Sequence, residues 1–221
     1  MVIRVEHITP VAGFTGVAAT TFGLYDEHMV HTTSVGSAQI TALRVATAPR
    51  GAQELEAVFP QVPRDELEKA LRPAGTVTWA FTLLVVKAGA QTLLVDTGFT
   101  FEPGGPGAGT RELLDEANIA PEGIDTVVIT HGHGDHIGGL MSNKKRAFPN
   151  ARLVLHRDEH SFWMGAKGAE HYGEEGVKAF RTAMAAYDGR IELVADGAPV
   201  LDEADVQATA LHAPGHTPGH M

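Results

Sequence analysis

The chain reads Thr-Val-Val-Ile-Thr-His-Gly-His-Gly-Asp-His-Ile-Gly-Gly at residues 126–139. The first five residues form a short, continuous apolar run of the kind that makes a buried strand. The histidines that follow predict a loop at the carboxyl end of that strand. His131 and His133 are two residues apart, so their side chains lie on the same side of an extended segment, whereas on a helix they would point apart. The spacing therefore predicts a metal-binding loop.

The donors around this loop are imidazole and carboxylate. Asp135 and His136 point toward a second position beside His131 and His133, and His216 follows another predicted strand end. The chain has no cysteine, so any zinc site must be built from histidine and carboxylate ligands, which leaves positions for water or substrate. We expect the glycines of the loop to supply unusual backbone dihedrals and a close approach to the ion, namely Gly132, Gly134, Gly138 and Gly139.

Strand and helix patterns alternate along the rest of the chain. After a β-rich beginning we predict strands at residues 37–46, 76–86, 92–95, 126–130, 152–155, 191–195 and 206–211, and helices at 65–71, 110–118 and 174–187. The alternation predicts one α/β domain with layered structure over residues 1–221. Residues 76–221 form its metal-binding core, and residues 1–75 are a variable N-terminal part.

Composition restricts the classes of partner. The chain has 17 basic and 27 acidic residues, a net charge of −10, which argues against nucleic acid and favours a small-molecule substrate. Residues 1–10 lack the apolar run of a signal peptide, and residues 79–95 are interrupted by Lys87, Gly89 and Gln91. We therefore expect a cytoplasmic protein without a membrane span.

These motifs resemble those of a known family. Residues 130–139 and Ala213-Pro-Gly-His-Thr-Pro-Gly-His220 look like the two histidine motifs of the metallo-β-lactamase superfamily, and the resemblance runs from about residue 76 to residue 221. Leu94-Val-Asp-Thr-Gly98 matches the preceding strand, whose aspartate, here Asp96, would support the metal loop. Within the superfamily, residues 147–151 and 160–163 are similar to the methyl parathion hydrolase and acyl-homoserine-lactone lactonase group, as is the 80-residue interval from His136 to His216.

The resemblance implies an αββα sandwich with two zinc ions, although other divalent metals suit the same donors. His131, His133 and His216 would hold the first ion, while Asp135 and His136 would contribute to the second. A hydroxide bridging the ions would be the nucleophile. Asp135 would also be catalytic, by orienting this hydroxide and passing a proton to the leaving group.

The family pattern also implies strands beyond residue 221 that carry a bridging aspartate and a last histidine. We therefore expect an incomplete second half of the sandwich and only half of the second metal site. Four residues are nearby substitutes in sequence, although we expect few of them to be ligands: Asp202, Asp205, His212 and His220. An unpaired sheet edge would favour a homodimer.

The resemblance implies a hydrolase of esters, lactones or phosphotriesters. A thioesterase resembling hydroxyacylglutathione hydrolase and a true β-lactamase share these ligands and remain alternatives. A non-catalytic metal-binding fragment is another, because ligands of the family pattern are missing.

Several further side chains have no firm role in the sequence. We expect His156, His160 and His171 to be core or exposed residues and not to line the pocket. Phe162 and Trp163 are equally consistent with a substrate pocket and with core packing. Met164 and Met184 are predicted as core, and residues 104–107 as a flexible lip.

Overall fold

The computed structural model describes residues 30–105, 107–203 and 206–221; the predicted β-rich beginning lies outside these ranges. Eleven strands are present in the described residues: β1 (Val30–Val35), β2 (Ala38–Arg50), β3 (Val77–Ala88), β4 (Gln91–Val95), β5 (Thr126–Val128), β6 (Met141–Ser142), β7 (Lys145–Arg146), β8 (Arg152–His156), β9 (Ile191–Val194), β10 (Ala198–Glu203) and β11 (Val206–Ala210). The α-helices of the same ranges are α1 (Ala52–Glu56), α2 (Arg64–Ala70), α3 (Thr110–Glu116), α4 (Gly134–Ile137), α5 (Arg157–Met164) and α6 (Ala166–Ala186).

The main sheet contains seven of the described strands, in the order β1-β2-β3-β4-β5-β8-β9. The pairs β1–β2, β2–β3 and β3–β4 are antiparallel. The pairs β4–β5, β5–β8 and β8–β9 are parallel. Strand β5 therefore lies inside the parallel half, where loops at the carboxyl ends of strands form ligand sites. The histidine loop follows β5 directly.

The two faces of this sheet pack against different layers. On β4 and β5, Leu94 and Val127 point into an apolar core that includes α3 and α6 through Leu113 and Phe180. Their strand neighbours point the opposite way, because side chains alternate along a strand. Val128 thus belongs to a second core, which includes the β10–β11 hairpin. The described residues therefore form a helical layer, a large mixed sheet and a small second sheet, as the mixed α/β prediction requires.

A cavity of about 400 Å³ lies between the second face of the sheet and this hairpin. Its walls are mostly apolar, and Thr130 and His220 lie where it reaches the histidine loop. Among the described residues, no helix combines the length and the apolar character that crossing a membrane requires.

The structure moves several predicted boundaries. Strand β2 continues to Arg50, four residues further than predicted, because it pairs with β3 as far as Val77. Strand β3 continues through Ala88, two residues beyond its predicted end at residue 86. Strand β5 ends at Val128, two residues early, since the amide of Thr130 is bound by the carboxylate of Asp96 and not by a strand.

The region after β8 differs most from the prediction. The sequence pattern missed helix α5, whose buried positions are Glu159 and Trp163. A helix with a carboxylate on its buried face does not show the apolar periodicity by which helices are recognised. Helix α6 begins at Ala166, but it is interrupted at Gly173, where φ is 75°, so the predicted start at residue 174 is where the helix resumes. Met164 is 42% exposed, so its prediction as core was wrong, whereas Met184 is buried.

Candidate metal centre

Three histidines from two distant loops meet at one edge of the sheet. His131 leaves the end of β5, His133 immediately precedes α4, and His216 lies in the loop after β11. One ring nitrogen from each lies within 4.8 Å of the other two. The ring planes are inclined to one another by 72° to 87°, so the in-plane lone pairs converge from different directions. The predicted cluster is therefore assembled.

The hydrogen bonds of His131 select one tautomer of its ring. The hydroxyl of Thr130 donates to Oδ2 of Asp96 at 2.8 Å and lies 3.1 Å from Nδ1 of His131. Because its proton is already used, Thr130 accepts from Nδ1–H of His131. Nε2 of His131 then carries a lone pair, is buried, and has no hydrogen-bond partner among the described residues.

His133 is oriented in a similar way by a residue of α6. Its Nε2 lies 2.7 Å from the hydroxyl of Tyr172, and its Nδ1 lies 3.0 Å from Nε2 of His216. Donation from Nε2–H to the phenol oxygen leaves the lone pair on Nδ1. Nitrogen ligands of a tetrahedral zinc lie about 3.3 Å apart, as follows from Zn–N distances of about 2.0–2.1 Å.

Asp135 and His136 lie beside this cluster on α4. Nδ1 of His136 donates to Oδ2 of Asp96 at 2.8 Å, and its Nε2 lies 3.4 Å from Oδ2 of Asp135. Asp96 is thus the common support that the family resemblance implied, because it binds Thr130, which orients His131, and also His136 directly. Asp135 and His136 provide two donor atoms at a spacing suited to one cation.

The electrostatics favour neutral imidazoles at the first site. Burial, and after it the neighbouring histidines, lowers the pKa of His131 to about 2, and the pKa of His133 is lowered by burial and by His216. The hydrogen bond from His136 lowers the pKa of Asp135 to about 2. Burial lowers the pKa of His136, but hydrogen bonds to Asp135 and Asp96 outweigh it and raise that pKa to about 9. Metal ligation requires the neutral form of histidine, which the lowered pKa values of His131 and His133 favour.

A divalent cation fits this arrangement. A buried nitrogen with no partner costs free energy unless something binds its lone pair. Nε2 of His131 is such an atom, and it faces two further imidazole nitrogens. The donor set of three imidazoles beside a carboxylate–imidazole pair suits zinc.

A second group, His156, Asp158 and His212, has donor atoms equally close together. However, the rings of His156 and His212 are stacked, 4.1 Å apart and only 5° from parallel. Parallel stacked rings direct their in-plane lone pairs along separate planes and cannot share one ion. Their nitrogens are also engaged, since Nδ1 of His156 accepts from the amide of Asp158 and Nε2 of His212 bonds the carbonyl of Pro218. This group is therefore a packing contact.

The glycines of the loop serve a different purpose from the one predicted. Gly132, Gly134, Gly138 and Gly139 are absent from the positive-φ residues of the described chain, so the expectation of unusual dihedrals was wrong. At Gly132, Gly138 and Gly139 the reason is space, because a side chain would collide with neighbouring atoms. A Cβ at Gly139 would lie 2.0 Å from the carbonyl oxygen of Thr97. The metal loop packs directly against the backbone that follows β4.

The proposed substitutes for the missing ligands are only partly near the site. The ring of His220 lies 4.8 Å from that of His131, centroid to centroid, but His220 is outside the group of convergent donors. Asp202 is exposed on β10, and His212 is stacked on His156. Asp205 lies outside the described residues.

A cavity of about 280 Å³ opens beside His216 and has an aromatic lining. Its walls include Phe162, His171, Tyr172, Thr217 and Pro218. His171 was expected to lie away from the pocket and is instead part of it. Trp163 is buried, with its ring edge-on to His133, while His160 packs near Phe180 and His156 is buried.

Sequence reasoning missed two residues that contact the ligand loops. Tyr172 binds His133, and the buried carboxylate of Glu159 binds the amide of Gly132, next to His131, and the amide of Gly219, three residues after His216. The one available signal was an acidic residue placed four residues before Trp163, which aligns both on one helical face.

Comparison with known proteins finds relatives in sequence and in fold. A UPF0173 metal-dependent hydrolase of Agrobacterium fabrum is 31% identical over 93 residues, which are 42% of this chain and 36% of that protein. The hydrolase AbOPH, of the beta lactamase superfamily, superimposes with a TM-score of 0.70 at 25% identity, over 89% of this chain and 69% of its own. AidC, a dizinc quorum-quenching lactonase, superimposes with a TM-score of 0.69 at 21% identity, over 86% of this chain and 68% of its own.

The alignment thus spans about a third of the curated relative. The sequence model of the Metallo-beta-lactamase superfamily matches residues 80–221, well over half of the chain and nearly the range in which the motifs were recognised. With the mixed sheet, the three converging histidines and this match in agreement, the chain belongs to the metallo-β-lactamase superfamily.

Proposed function

We propose that this chain carries the metal-binding core of a di-zinc hydrolase that cleaves esters, lactones or phosphotriesters of small molecules. The observation that carries the proposal is the buried, unpartnered Nε2 of His131, which faces ring nitrogens of His133 and His216. These three residues would hold the first ion. Asp135 and His136 would supply two donors to the second.

Zinc is the favoured ion because imidazole and carboxylate without thiolate suit its catalytic sites. When bound, divalent cations of this kind lower the pKa of water to near neutrality and polarise a carbonyl or phosphoryl oxygen. The chain's own residues would orient the reacting water and transfer its proton. The pKa of Asp135 is lowered to about 2, so this residue is an ionised carboxylate that would orient the attacking water, accept its proton and pass that proton to the leaving group.

The surroundings favour a small, partly apolar substrate. The cavity beside His216 has Phe162 and Tyr172 in its walls, and aromatic side chains bind apolar groups of a ligand. The structural similarity to the hydrolase AbOPH and to the lactonase AidC also favours ester-like substrates. A net charge of −10 disfavours nucleic acid as a substrate.

Metal content and turnover test this function together. The chain would be stripped of metal, dialysed, reloaded with zinc, and analysed for ions per chain. Hydrolysis would then be followed on an aryl ester, an acyl-homoserine lactone, an aryl phosphotriester, a thioester and a β-lactam. We expect zinc-dependent turnover of the first three, abolished by chelation and by His131→Ala.

His31→Ala is the matched control, since it removes an exposed histidine of β1 and leaves the three convergent rings in place. About two ions per chain support the di-zinc assignment, and one ion restricts it to the first site. Preferred turnover of the thioester or the β-lactam would transfer the assignment to those activities. Zinc binding without any turnover would mean that this chain is a non-catalytic metal-binding fragment.

A further inference from the structure

The carboxylate of Glu159 lies between the two loops that supply the histidines. Glu159 is on α5 and is fully buried. Its Oε1 accepts from the amide of Gly132 at 2.7 Å, and its Oε2 accepts from the hydroxyl of Thr217 at 2.7 Å and from the amide of Gly219 at 2.9 Å. Gly132 separates His131 from His133, and Thr217 follows His216. One side chain therefore binds both ligand loops.

The carboxylate is balanced by hydrogen bonds alone in the described residues. Trp163 donates the fourth bond, from Nε1 to Oε1 at 2.7 Å, so each oxygen accepts two. No cation forms an ion pair with Glu159 among the described side chains. A buried carboxylate is costly unless all its oxygens are bound, and here the donors come from the metal loops themselves. Its burial is therefore coupled to the positions of those loops.

Steric fit makes the same connection. A Cβ at Gly132 would lie 2.4 Å from Nε1 of Trp163, and a Cβ at Gly219 would lie 2.1 Å from the amide nitrogen of Glu159. Both loops thus press directly on α5 at a glycine. The amide of Met221 also donates to the carbonyl of Thr130 and so joins the two segments. This bond lies before His131 in one segment and after Gly219 in the other, and it does not involve Glu159.

We propose that Glu159 is a positioning residue that holds the His131–His133 loop and the His216 loop in register, so that the three imidazoles converge before a metal binds. This inference rests on the proposed function, because it assumes that these rings are ligands. In metal sites, the residues that orient ligands typically change affinity by about 10- to 100-fold when replaced. Glu159 acts at one remove further, through the backbone, and on two loops at once.

Glu159→Gln is the direct test. A glutamine of the same shape keeps one accepting oxygen, but its NH₂ group cannot accept from the amides and so loses the bonds to one of the two loops. We expect zinc affinity, measured by chelator competition well below the unfolding temperature, to fall by about 10- to 100-fold. The visible absorption of bound Co²⁺ should also change, because the first coordination site loses its geometry.

A metal-independent measurement accompanies it. In the metal-free protein, hydrogen exchange at the amides of Gly132 or Gly219 should become faster in Glu159→Gln than in wild type. Glu175→Gln is the matched control, since it makes the same chemical change on an exposed side chain that pairs with Lys178. Thr217→Val is a second, milder variant that removes one bond of the four, and a smaller loss of affinity is expected from it.

The outcomes separate the two proposals. If wild type binds zinc and both Glu159→Gln and Thr217→Val bind it equally well, with unchanged amide exchange and Co²⁺ spectrum, Glu159 has no positioning role. A lower melting temperature of the metal-free variant without loss of affinity leads to the same conclusion. If Glu159→Gln does not fold, Thr217→Val decides. If wild type itself binds no zinc, the proposed function fails, and this inference fails with it.

Discussion

Asp96→Asn should disable both proposed metal sites by reversing hydrogen bonds. Asp96 is buried, with one oxygen bound to the amide of Thr130 and the other bound to the hydroxyl of Thr130 and to Nδ1 of His136. Its φ is 60°, a conformation that asparagine tolerates, so the backbone is preserved. The substitution therefore keeps the shape of the side chain, replaces one acceptor oxygen by an NH₂ donor and removes the negative charge.

That single change reaches both rings. The new NH₂ group donates to Thr130, whose hydroxyl proton must then turn toward Nδ1 of His131, 3.1 Å away. Nε2 of His131 becomes the protonated nitrogen and loses the lone pair that a metal needs. His136 meets the same NH₂ group and is forced into the equivalent change. Each loss of a charge-assisted hydrogen bond is worth about 1.5–3 kcal/mol, which corresponds to roughly a 10- to 150-fold weaker affinity.

Zinc titration against a competing chelator measures this effect. We expect Asp96→Asn to bind the first ion at least about 10-fold more weakly and the second weakly or not at all. Asp115→Asn is the control, because Asp115 is an exposed partner of Arg111. Wild-type zinc affinity in Asp96→Asn would refute the assignment of the two tautomers. Unfolding of the metal-free variant would be followed separately, so that a loss of stability is not mistaken for a loss of ligation.

Three further outcomes are expected. Tyr172→Phe removes the hydroxyl bound to Nε2 of His133 and should weaken zinc binding by roughly 10-fold in a chelator competition. Stability should change little, because Tyr172 is partly exposed. Unchanged zinc affinity would show that Tyr172 does not orient His133. Gly139→Ala should lower the free energy of unfolding by about 1–3 kcal/mol or more, because its Cβ would collide with the carbonyl of Thr97. Gly134→Ala should be nearly neutral, because no atom lies within 4 Å of its Cβ position. Equal effects of the two variants in urea unfolding would contradict the packing argument. Burial raises the pKa of Tyr187 from 10.0 to about 12. Because the phenol of the unfolded chain ionises first, stability should fall as pH rises above 10, by up to about 1.4 kcal/mol per pH unit relative to Tyr187→Phe. A constant difference in stability between the two proteins across that range would show that this phenol does not contribute.

Much of the fold was readable because its core strands are local patterns. The apolar run that became β5 and the alternation around it predicted the central strands to within a few residues. Helix α5 could not be predicted from hydrophobic periodicity, because its buried face combines Glu159 with Trp163. The carboxylate has its binding partners on loops far away in the chain, and periodicity within the helix contains no information about them.

The histidines show the same division. His131 and His133 are neighbours in an extended loop, so their convergence follows from backbone geometry over three residues. His212 and His216 are both candidates in the sequence, four residues apart in one loop. The structure turns His216 toward His131 and stacks His212 on His156.

Residue types and spacings alone therefore predict the histidine loop, the class of donor atoms and the family, because those depend on short stretches of chain. Tertiary structure decides which distant side chains complete the site. Glu159 and Tyr172 reach the ligand loops only because the packing of α5 and α6 against the sheet brings them there. Such contacts join residues that are 27 to 60 positions apart, and their geometry is set by the packing of the whole core.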